Sequence, residues 1–181
     1  MLYSTEQENM VKPRILVVDD EEPIRKTLRM TLEYEGYEVS EGSSGAEALD
    51  KIENEPYDLV FLDIKMPGMD GFEVLGELRE RTTAPQVVVV SGHGNVQTAV
   101  QATKLGAFDF IEKPLETERI LLAVRNALER KQLKEEVSRL RPVFERRYQM
   151  VGTSAAMDKV REAIARSAPT NATVLITGES G

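Results

Sequence analysis

Polar side chains with the chemistry of acids, bases and metal ligands follow several short hydrophobic runs of this chain. Asp19 and Asp20 come directly after RILVV, and Asp63 comes directly after YDLVFL. Ser91 follows QVVVV, and Lys113 follows AFDFIE. Carboxylates that lie close together repel one another, so the three acids need a cation between them or must take up protons. Oxygen ligands without Cys or His suit a hard cation, and Mg²⁺ is the candidate.

A hydroxyl and an ammonium beside such a cation fit a second chemistry, phosphoryl transfer. Together they can hold the oxygens of a phosphoryl group, and the transfer depends mostly on alignment and charge stabilisation. The carboxylate at the centre of the cluster would be the nucleophile. Each group alone has a plainer interpretation, since an Asp pair after a strand usually forms a turn or caps a helix. Their occurrence at successive strand ends favours one shared site.

Alternating strands and helices are predicted over the first 115 residues, and these elements must bring the polar groups together. The nearly apolar strands indicate a parallel α/β sheet covered by helices on both faces, with right-handed crossovers that make it doubly wound. The strands are predicted at 14–18, 37–41, 57–62, 86–90 and 107–111, and the helices at 23–36, 44–55, 71–80, 96–106 and from Thr117 onward.

Such a fold places ligands at the carboxyl ends of its strands. Asp63 lies at the middle of that edge if the strand order is 2-1-3-4-5. On the helix at 96–106, we expect four residues at helical spacing to face the sheet, namely Val96, Ala99, Val100 and Thr103.

Four motifs, ILVVDDE, VFLDIKMPGMDG, VVVVSGHG and AFDFIEKP, resemble in their order the signatures of the receiver domain of two-component response regulators. The resemblance covers about residues 13–130, after an N-terminal tail at 1–12. It implies a flavodoxin-like (βα)5 fold with a parallel five-stranded sheet. It also implies a regulatory phosphoacceptor domain rather than an enzyme, with self-phosphorylation and autodephosphorylation as its only reactions.

The same resemblance implies a role for each polar residue. Asp63 accepts the phosphoryl group, and Lys113 and Ser91 bind its oxygens. Phe110 matches the aromatic switch position, which acts together with Ser91, and a cis peptide bond before Pro114 aims Lys113. Mg²⁺ is bound directly by Asp20 and largely through water by Asp19, and Asp63 and the backbone carbonyl of Lys65 complete the ligands.

The phosphoryl donor implied by the resemblance is a phosphohistidine. His93 is the single histidine of the chain, and we interpret it as a solvent-exposed loop residue. The donor histidine is therefore expected to belong to another protein, a sensor histidine kinase.

A long helix without internal breaks is predicted from Thr117 to Arg141, where Pro142 ends it. Its first part fits a last receiver helix, and its second part carries an apolar stripe at Leu133, Val137 and Leu140. This stripe predicts a linker that forms a homodimer; the alternative is that it covers a further domain. The basic residues around it fit a solvated helix face better than a DNA-binding patch.

Residues 148–181 resemble the start of the AAA+ ATPase module in NtrC-type activators of sigma-54. Within that family, residues 91–114 look closest to the NtrX-like branch. Gly178 and Gly181 would begin the Walker A loop, so we expect a chain cut inside it that does not hydrolyse ATP. Phosphorylation would control the oligomeric state of the attached ATPase. ATP, sigma-54 RNA polymerase and DNA would be bound only by the intact parent protein.

Composition argues against several other classes of protein. With 23 basic and 31 acidic residues, the net charge is −8, which argues against general nucleic-acid binding. The chain has no Cys, no apolar run long enough to span a membrane and no signal peptide, so we expect a cytoplasmic protein. The alternatives are a Mg²⁺-dependent phosphatase or phosphotransferase of similar fold, a pseudo-receiver that only binds partners, and a stand-alone nucleotide-binding protein.

Overall fold

A five-stranded parallel sheet lies within residues 14–112 and confirms the predicted strand order, β2-β1-β3-β4-β5. The structure is a computed structural model, which describes residues 12–81, 83–92, 96–147 (backbone only from 141), 152, 154–170, 173 and 175. The strands are β1 (Arg14–Val18), β2 (Glu38–Gly42), β3 (Leu59–Asp63), β4 (Gln86–Ser91) and β5 (Asp109–Glu112). The helices are α1 (Glu22–Tyr34), α2 (Gly45–Asn54), α3 (Gly71–Arg79), α4 (Val96–Lys104), α5 (Thr117–Arg147) and α6 (Ala155–Ser167).

Hydrophobic side chains on the two faces of the sheet form two separate core clusters. One cluster joins the sheet to α2, α3 and α4, and the other joins it to α1 and α5. Residues of β1 alternate between them, with Leu16 and Val18 in the first and Ile15 and Val17 in the second. Each such side chain contributes about 1.5–3 kcal/mol when fully buried. Because both faces of the sheet are packed against helices, the strands hold the residues at its carboxyl edge in fixed positions.

Helix α4 faces the sheet with a different side from the one predicted. Ala102 is fully buried in the core, and Ala99 is half-buried as expected. Val96 is 81% exposed, Val100 is 47% exposed, and Thr103 is also exposed, so the prediction is wrong for these three residues. Ala102 is the residue of α4 that joins the core cluster, and the two valines lie on sides of the helix turned toward solvent.

Helix α5 extends further than predicted. It runs from Thr117 to Arg147, and the predicted end at Arg141 is wrong. A proline in a helix interior removes one backbone hydrogen bond and costs roughly 3 kcal/mol. The missing donor affects only this one hydrogen bond, and the helix continues past Pro142 to Arg147. From residue 132 to residue 140 its side chains are exposed.

The chain divides into two compact units, residues 1–137 and residues 138–181. In the second unit, α6 begins after Ser154, whose Oγ accepts the Met157 N–H at 3.3 Å. The glycines expected to start a Walker A loop, Gly178 and Gly181, lie outside the described residues, as does His93. Within the described ranges, no helix combines the length and the apolar character that a membrane crossing requires.

Candidate functional site

The turn after β1 presents the first acidic residues of the site. The Asp19 side chain is buried, whereas Asp20 is exposed. The Asp19 N–H donates to the Gly42 carbonyl of β2 at 3.2 Å, which continues the β1–β2 pairing past the end of the strand. Asp19 Oδ1 accepts the Glu21 N–H at 2.9 Å. One oxygen of this carboxylate thus closes the turn into α1, and the other faces the carboxyl edge of the sheet.

Asp63 is the last residue of β3, which lies between β1 and β4 at the middle of the sheet. Its side chain is 4% exposed. Behind it, the Gly71 N–H donates to the Ile64 carbonyl at 2.9 Å. A Cβ at Gly71 would lie only 2.3 Å from the Asp63 carbonyl oxygen, so a glycine is needed where α3 begins this close to β3.

Lys113 reaches the two aspartates from the end of β5. Its N–H donates to the Ser91 carbonyl of β4 at 2.9 Å, which fixes the main chain beside the site. Its Nζ lies 3.0 Å from Asp63 Oδ1, 2.8 Å from Asp19 Oδ2 and 3.1 Å from Glu21 Oε1. One ammonium therefore links carboxylates that follow β1 and end β3. The bond between Lys113 and Pro114 is cis, as the resemblance implied.

Burial and ion pairing act in opposite directions on these charges. Burial raises the pKa of the Asp63 carboxyl, and the Asp19 charge adds to this, while Lys113 and the Lys65 backbone N–H oppose it without cancelling it. Burial lowers the pKa of Lys113, but its ion pairs with Asp19 and Asp63 outweigh that effect and raise it overall. Lys113 therefore stays charged at neutral pH and holds together two carboxylates that would otherwise repel.

The remaining predicted site residues surround this cluster at different distances. Ser91 is buried at the end of β4, in register with Glu112 of β5. The Lys65 side chain is exposed, and it is the backbone N–H of this residue that approaches Asp63. Phe110 is half-buried on β5 and packs against the cluster that includes α2, α3 and α4. Within the described part of the chain, the ion pairs of Lys113 do not include Asp20.

Two further residues at this edge were not assigned a role from the sequence. Glu21 contacts the Lys113 ammonium, and its place directly after the two aspartates was the available signal. Arg25 donates from its NH1 group to the Asp19 carbonyl at 2.7 Å. Its position four residues after Glu21, one turn along α1, was a weaker signal because many surface helices carry arginine there.

The donor set fits a hard divalent cation. Asp19 Oδ2 is buried and lies 2.8 Å from the Lys113 ammonium, and no other polar contact to this oxygen is found among the described residues. That oxygen retains lone-pair capacity next to a second carboxylate, Asp63. No three acidic or imidazole side chains of the described residues converge closely enough to hold a metal alone. Mg²⁺ keeps several of its waters, so one or two carboxylates and a carbonyl are sufficient protein ligands.

Comparison with known families matches residues 15–125 to the response regulator receiver domain. The nitrogen assimilation regulatory protein NtrX of Azorhizobium caulinodans is 40% identical over 169 residues, which cover 92% of this chain and 37% of that protein. The C4-dicarboxylate transport transcriptional regulatory protein DctD of Pseudomonas aeruginosa is 38% identical over 173 residues, covering 93% of this chain and 37% of that protein. The chain thus spans little more than a third of the length of these relatives.

Solved structures show the same relationship. NtrX from Brucella abortus, crystallised in complex with ATP, superposes with a TM-score of 0.74 at 44% identity and covers 89% of this chain and 36% of its own. A CheY-like response regulator receiver domain protein from Methanospirillum hungatei superposes with a TM-score of 0.65 at 32% identity. That match covers 68% of this chain and 99% of the other, so the fold of a complete receiver domain is contained in this protein.

Proposed function

Because the chain belongs to the response regulator receiver domains of two-component systems, we propose that it accepts a phosphoryl group on Asp63. The observation that carries this proposal is the contact between Asp63 and Lys113, whose charged atoms are 3.0 Å apart at the middle of the sheet edge. A carboxylate oxygen is a nucleophile toward phosphorus. The adjacent ammonium stabilises negative charge on the oxygens of the group being transferred.

The donor we propose is a phosphohistidine on a sensor histidine kinase. An Asp63 oxygen attacks the phosphorus, so that an O–P bond forms as the N–P bond of the phosphohistidine breaks. The imidazole, protonated on its other nitrogen, leaves as a neutral ring, and Asp63 becomes an acyl phosphate. The Lys113 ammonium then gives up some of its contact with Asp19 and Glu21 and binds the phosphoryl oxygens instead. The Ser91 hydroxyl, at the next strand end, supplies the second contact to them.

Mg²⁺ is the cofactor we propose for this transfer. Asp19, Asp20, Asp63 and the backbone carbonyl of Lys65 would hold it. When bound, the ion neutralises charge on the phosphoryl oxygens. The buried Asp19 carboxylate beside Asp63, with both acids paired to Lys113, supports this assignment.

For the whole protein, we propose the role of a transcriptional regulator in the cytoplasm. Several relatives are named as transcriptional regulatory proteins, and NtrX from Brucella abortus was crystallised with ATP. Phosphorylation of the receiver would control the oligomeric state of an attached sigma-54 activator ATPase. ATP, sigma-54 RNA polymerase and DNA would be bound by regions of the relatives that this chain does not span.

We also propose that the chain forms a homodimer through the distal half of α5. Leu133, Val137 and Leu140 are 57%, 65% and 43% exposed, and they follow one another at the spacing of a coiled-coil seam. Large apolar side chains in such a stripe are stabilised when a second copy of the helix covers them.

The family match does not favour the alternative of a phosphatase or phosphotransferase. Such an enzyme would turn over an external phosphomonoester, whereas a receiver consumes its own aspartyl phosphate. Multiple turnover of a phosphomonoester by the purified chain would favour the alternative.

The proposal is tested by labelling the chain with a small acyl phosphate and measuring incorporation by intact-mass spectrometry. We expect labelling with Mg²⁺, none after chelation, and none in Asp63→Asn, because an amide lacks the anionic nucleophile. Asp70→Asn is the matched control, since it changes an acid in the same loop and keeps a helix-capping side chain. Full labelling of Asp63→Asn would show that another residue is the acceptor.

A further inference from the structure

Arg25 lies behind the acidic turn and contacts the main chain of the proposed cation site. Its NH1 group donates to the Asp19 carbonyl oxygen at 2.7 Å, and its Nε donates to Glu41 Oε2 at 3.3 Å. The Arg25 side chain is 14% exposed, so both contacts are largely shielded from water. A guanidinium is a rigid planar fork, and bonds in two directions hold it in one orientation.

The contact with the Asp19 carbonyl fixes the peptide plane that leads into Asp20. Because a peptide bond is planar and trans, holding its oxygen also sets the direction of the Asp20 N–H and restricts the backbone angles on either side. The preceding peptide group is held as well, since the Asp19 N–H donates to Gly42 of β2. The main chain on both sides of Asp19 is therefore anchored, once by the sheet and once by Arg25.

The charge of Arg25 argues against a purely electrostatic role at this site. A guanidinium beside the acidic turn repels a divalent cation, so its charge alone lowers the affinity for Mg²⁺. Glu41, the penultimate residue of β2, pairs with Arg25 and also with Arg29, whose NH1 lies 2.8 Å from Glu41 Oε1. These contacts direct the Arg25 fork toward the main chain. If Arg25 favours cation binding, the affinity gained by orienting the Mg²⁺ ligands must exceed the affinity lost to charge repulsion.

We propose that Arg25 is a positioning residue for the cation site. By holding the peptide between Asp19 and Asp20, it aims the Asp20 carboxylate and raises the affinity for Mg²⁺. The inference rests on the proposed function, because that function makes Asp20 a ligand of Mg²⁺.

The test is the Mg²⁺ affinity of the intact 181-residue chain, measured by NMR titration of the ¹⁵N-labelled protein with MgCl₂. In Arg25→Met, we expect the dissociation constant to rise about tenfold, the lower end of the range for partners that orient metal ligands. Arg25→Lys keeps the charge but loses the fork, so we expect its Mg²⁺ affinity also to be lower than that of the wild type. Arg29→Met is the matched control, because it removes a charge from the same Glu41 and makes no contact with Asp19 among the described hydrogen bonds.

The direction of the change in Mg²⁺ affinity distinguishes a positioning role of Arg25 from a purely electrostatic one. If Arg25 acts only through its charge, Arg25→Met will bind Mg²⁺ at least as tightly as the wild type, and that result overturns the inference. The control Arg29→Met is expected to bind Mg²⁺ at least as tightly as the wild type in either case. A role in stability alone would lower the thermal midpoint and leave the Mg²⁺ affinity of the folded protein unchanged, which overturns it too. If Arg25→Met does not fold, an Arg25→Lys affinity equal to that of the wild type overturns the inference. A wild-type chain that binds no Mg²⁺ would instead contradict the proposed function.

Discussion

Asp63 must be ionised to attack phosphorus, yet its surroundings disfavour that charge. Burial raises the pKa of its carboxyl, and the Lys113 ammonium offsets this only in part. A group whose pKa is higher in the folded state than in the unfolded chain destabilises the fold when it is ionised. The site therefore holds a reactive carboxylate at a cost to stability, as expected where chemistry requires a buried charge.

Replacing Asp63 with asparagine should make the metal-free protein more stable at neutral pH. The amide side chain has nearly the same shape and carries no charge to desolvate, and Lys113 keeps its pair with Asp19. In chelator at pH 7, we expect Asp63→Asn to raise the thermal midpoint, by about 2–4 °C for each kcal/mol gained. The gain should shrink on acidification, because the raised pKa of Asp63 lets the folded wild type take up this proton before the unfolded chain does.

The control for this experiment is Asp50→Asn, which changes an exposed aspartate on α2. It should leave the midpoint nearly unchanged across the same pH range. A lower midpoint for Asp63→Asn at pH 7, or a difference that grows on acidification, would contradict the described charge balance.

The main residues of the cluster could be predicted because they lie at strand ends. Once β1, β3 and β5 belong to one parallel sheet, the groups that follow them share an edge whatever the details of packing. Glu21 and Arg25 could not be assigned in the same way. Their contacts depend on how α1 is turned against β2, and a single arginine on an amphipathic helix gives no information about that rotation.

The segment between β3 and α3 is the element that places Asp63 relative to its neighbours. Asp70 and Glu73 form a reciprocal capping box at the start of α3, with hydrogen bonds of 2.9 and 2.8 Å. Gly71 then packs its backbone against the Asp63 carbonyl. The helix start and the end of β3 are thereby fixed to each other.

Removing the Asp70 side chain should loosen this element. We expect Asp70→Ala to lower the free energy of unfolding by about 0.5–2 kcal/mol, because the capping box loses the oxygen that accepts the Glu73 N–H. Chemical denaturation at constant pH measures the change. Asp70→Asn retains a capping oxygen and should lose only a small part of that amount; equal losses in the two variants would show that charge, and not capping, is what stabilises α3.

The positions of the strands were predicted more accurately than the buried face of α4, for a physical reason. Strands β1, β3 and β4 were located because each is a short, mainly apolar run bounded by turn residues. The inward face of α4 was predicted from the helical spacing of Val96, Ala99, Val100 and Thr103, and the structure instead buries Ala102. The helix is only nine residues long and rich in small and polar side chains, so its spacing did not define a single apolar face.

The distal half of α5 carries the surface that we propose for dimerisation. Its first half is buried through Ile120, Val124 and Ala127, whereas the stripe at Leu133, Val137 and Leu140 is exposed. At about 1.5–3 kcal/mol for each fully buried side chain, pairing of two helices gains several kcal/mol against the cost of association. A stripe of about two heptads predicts a dimer of modest affinity.

Two acidic substitutions in this stripe should separate the dimer. We expect light scattering at tens of micromolar protein to show a dimer for the wild type and a monomer for Leu133→Asp with Val137→Asp, because paired carboxylates would be buried in the seam. Circular dichroism should show that the variant keeps its folded receiver.

The matched control adds the same two charges outside the stripe, as Gln132→Asp with Ser138→Asp. Both positions belong to the outer side of the predicted seam, so this variant should remain dimeric. A wild type that stays monomeric with and without phosphorylation would instead favour the alternative, in which the stripe covers another domain.

The most direct test of the central claim is to locate the phosphoryl group on the chain. After reaction with a small acyl phosphate and Mg²⁺, borohydride reduces an aspartyl phosphate to homoserine, and fragment ions of the digested protein identify the changed residue. The account predicts homoserine at position 63 and unmodified aspartate at positions 19, 20 and 70. Homoserine at any of those three positions, with an unmodified Asp63, would contradict it.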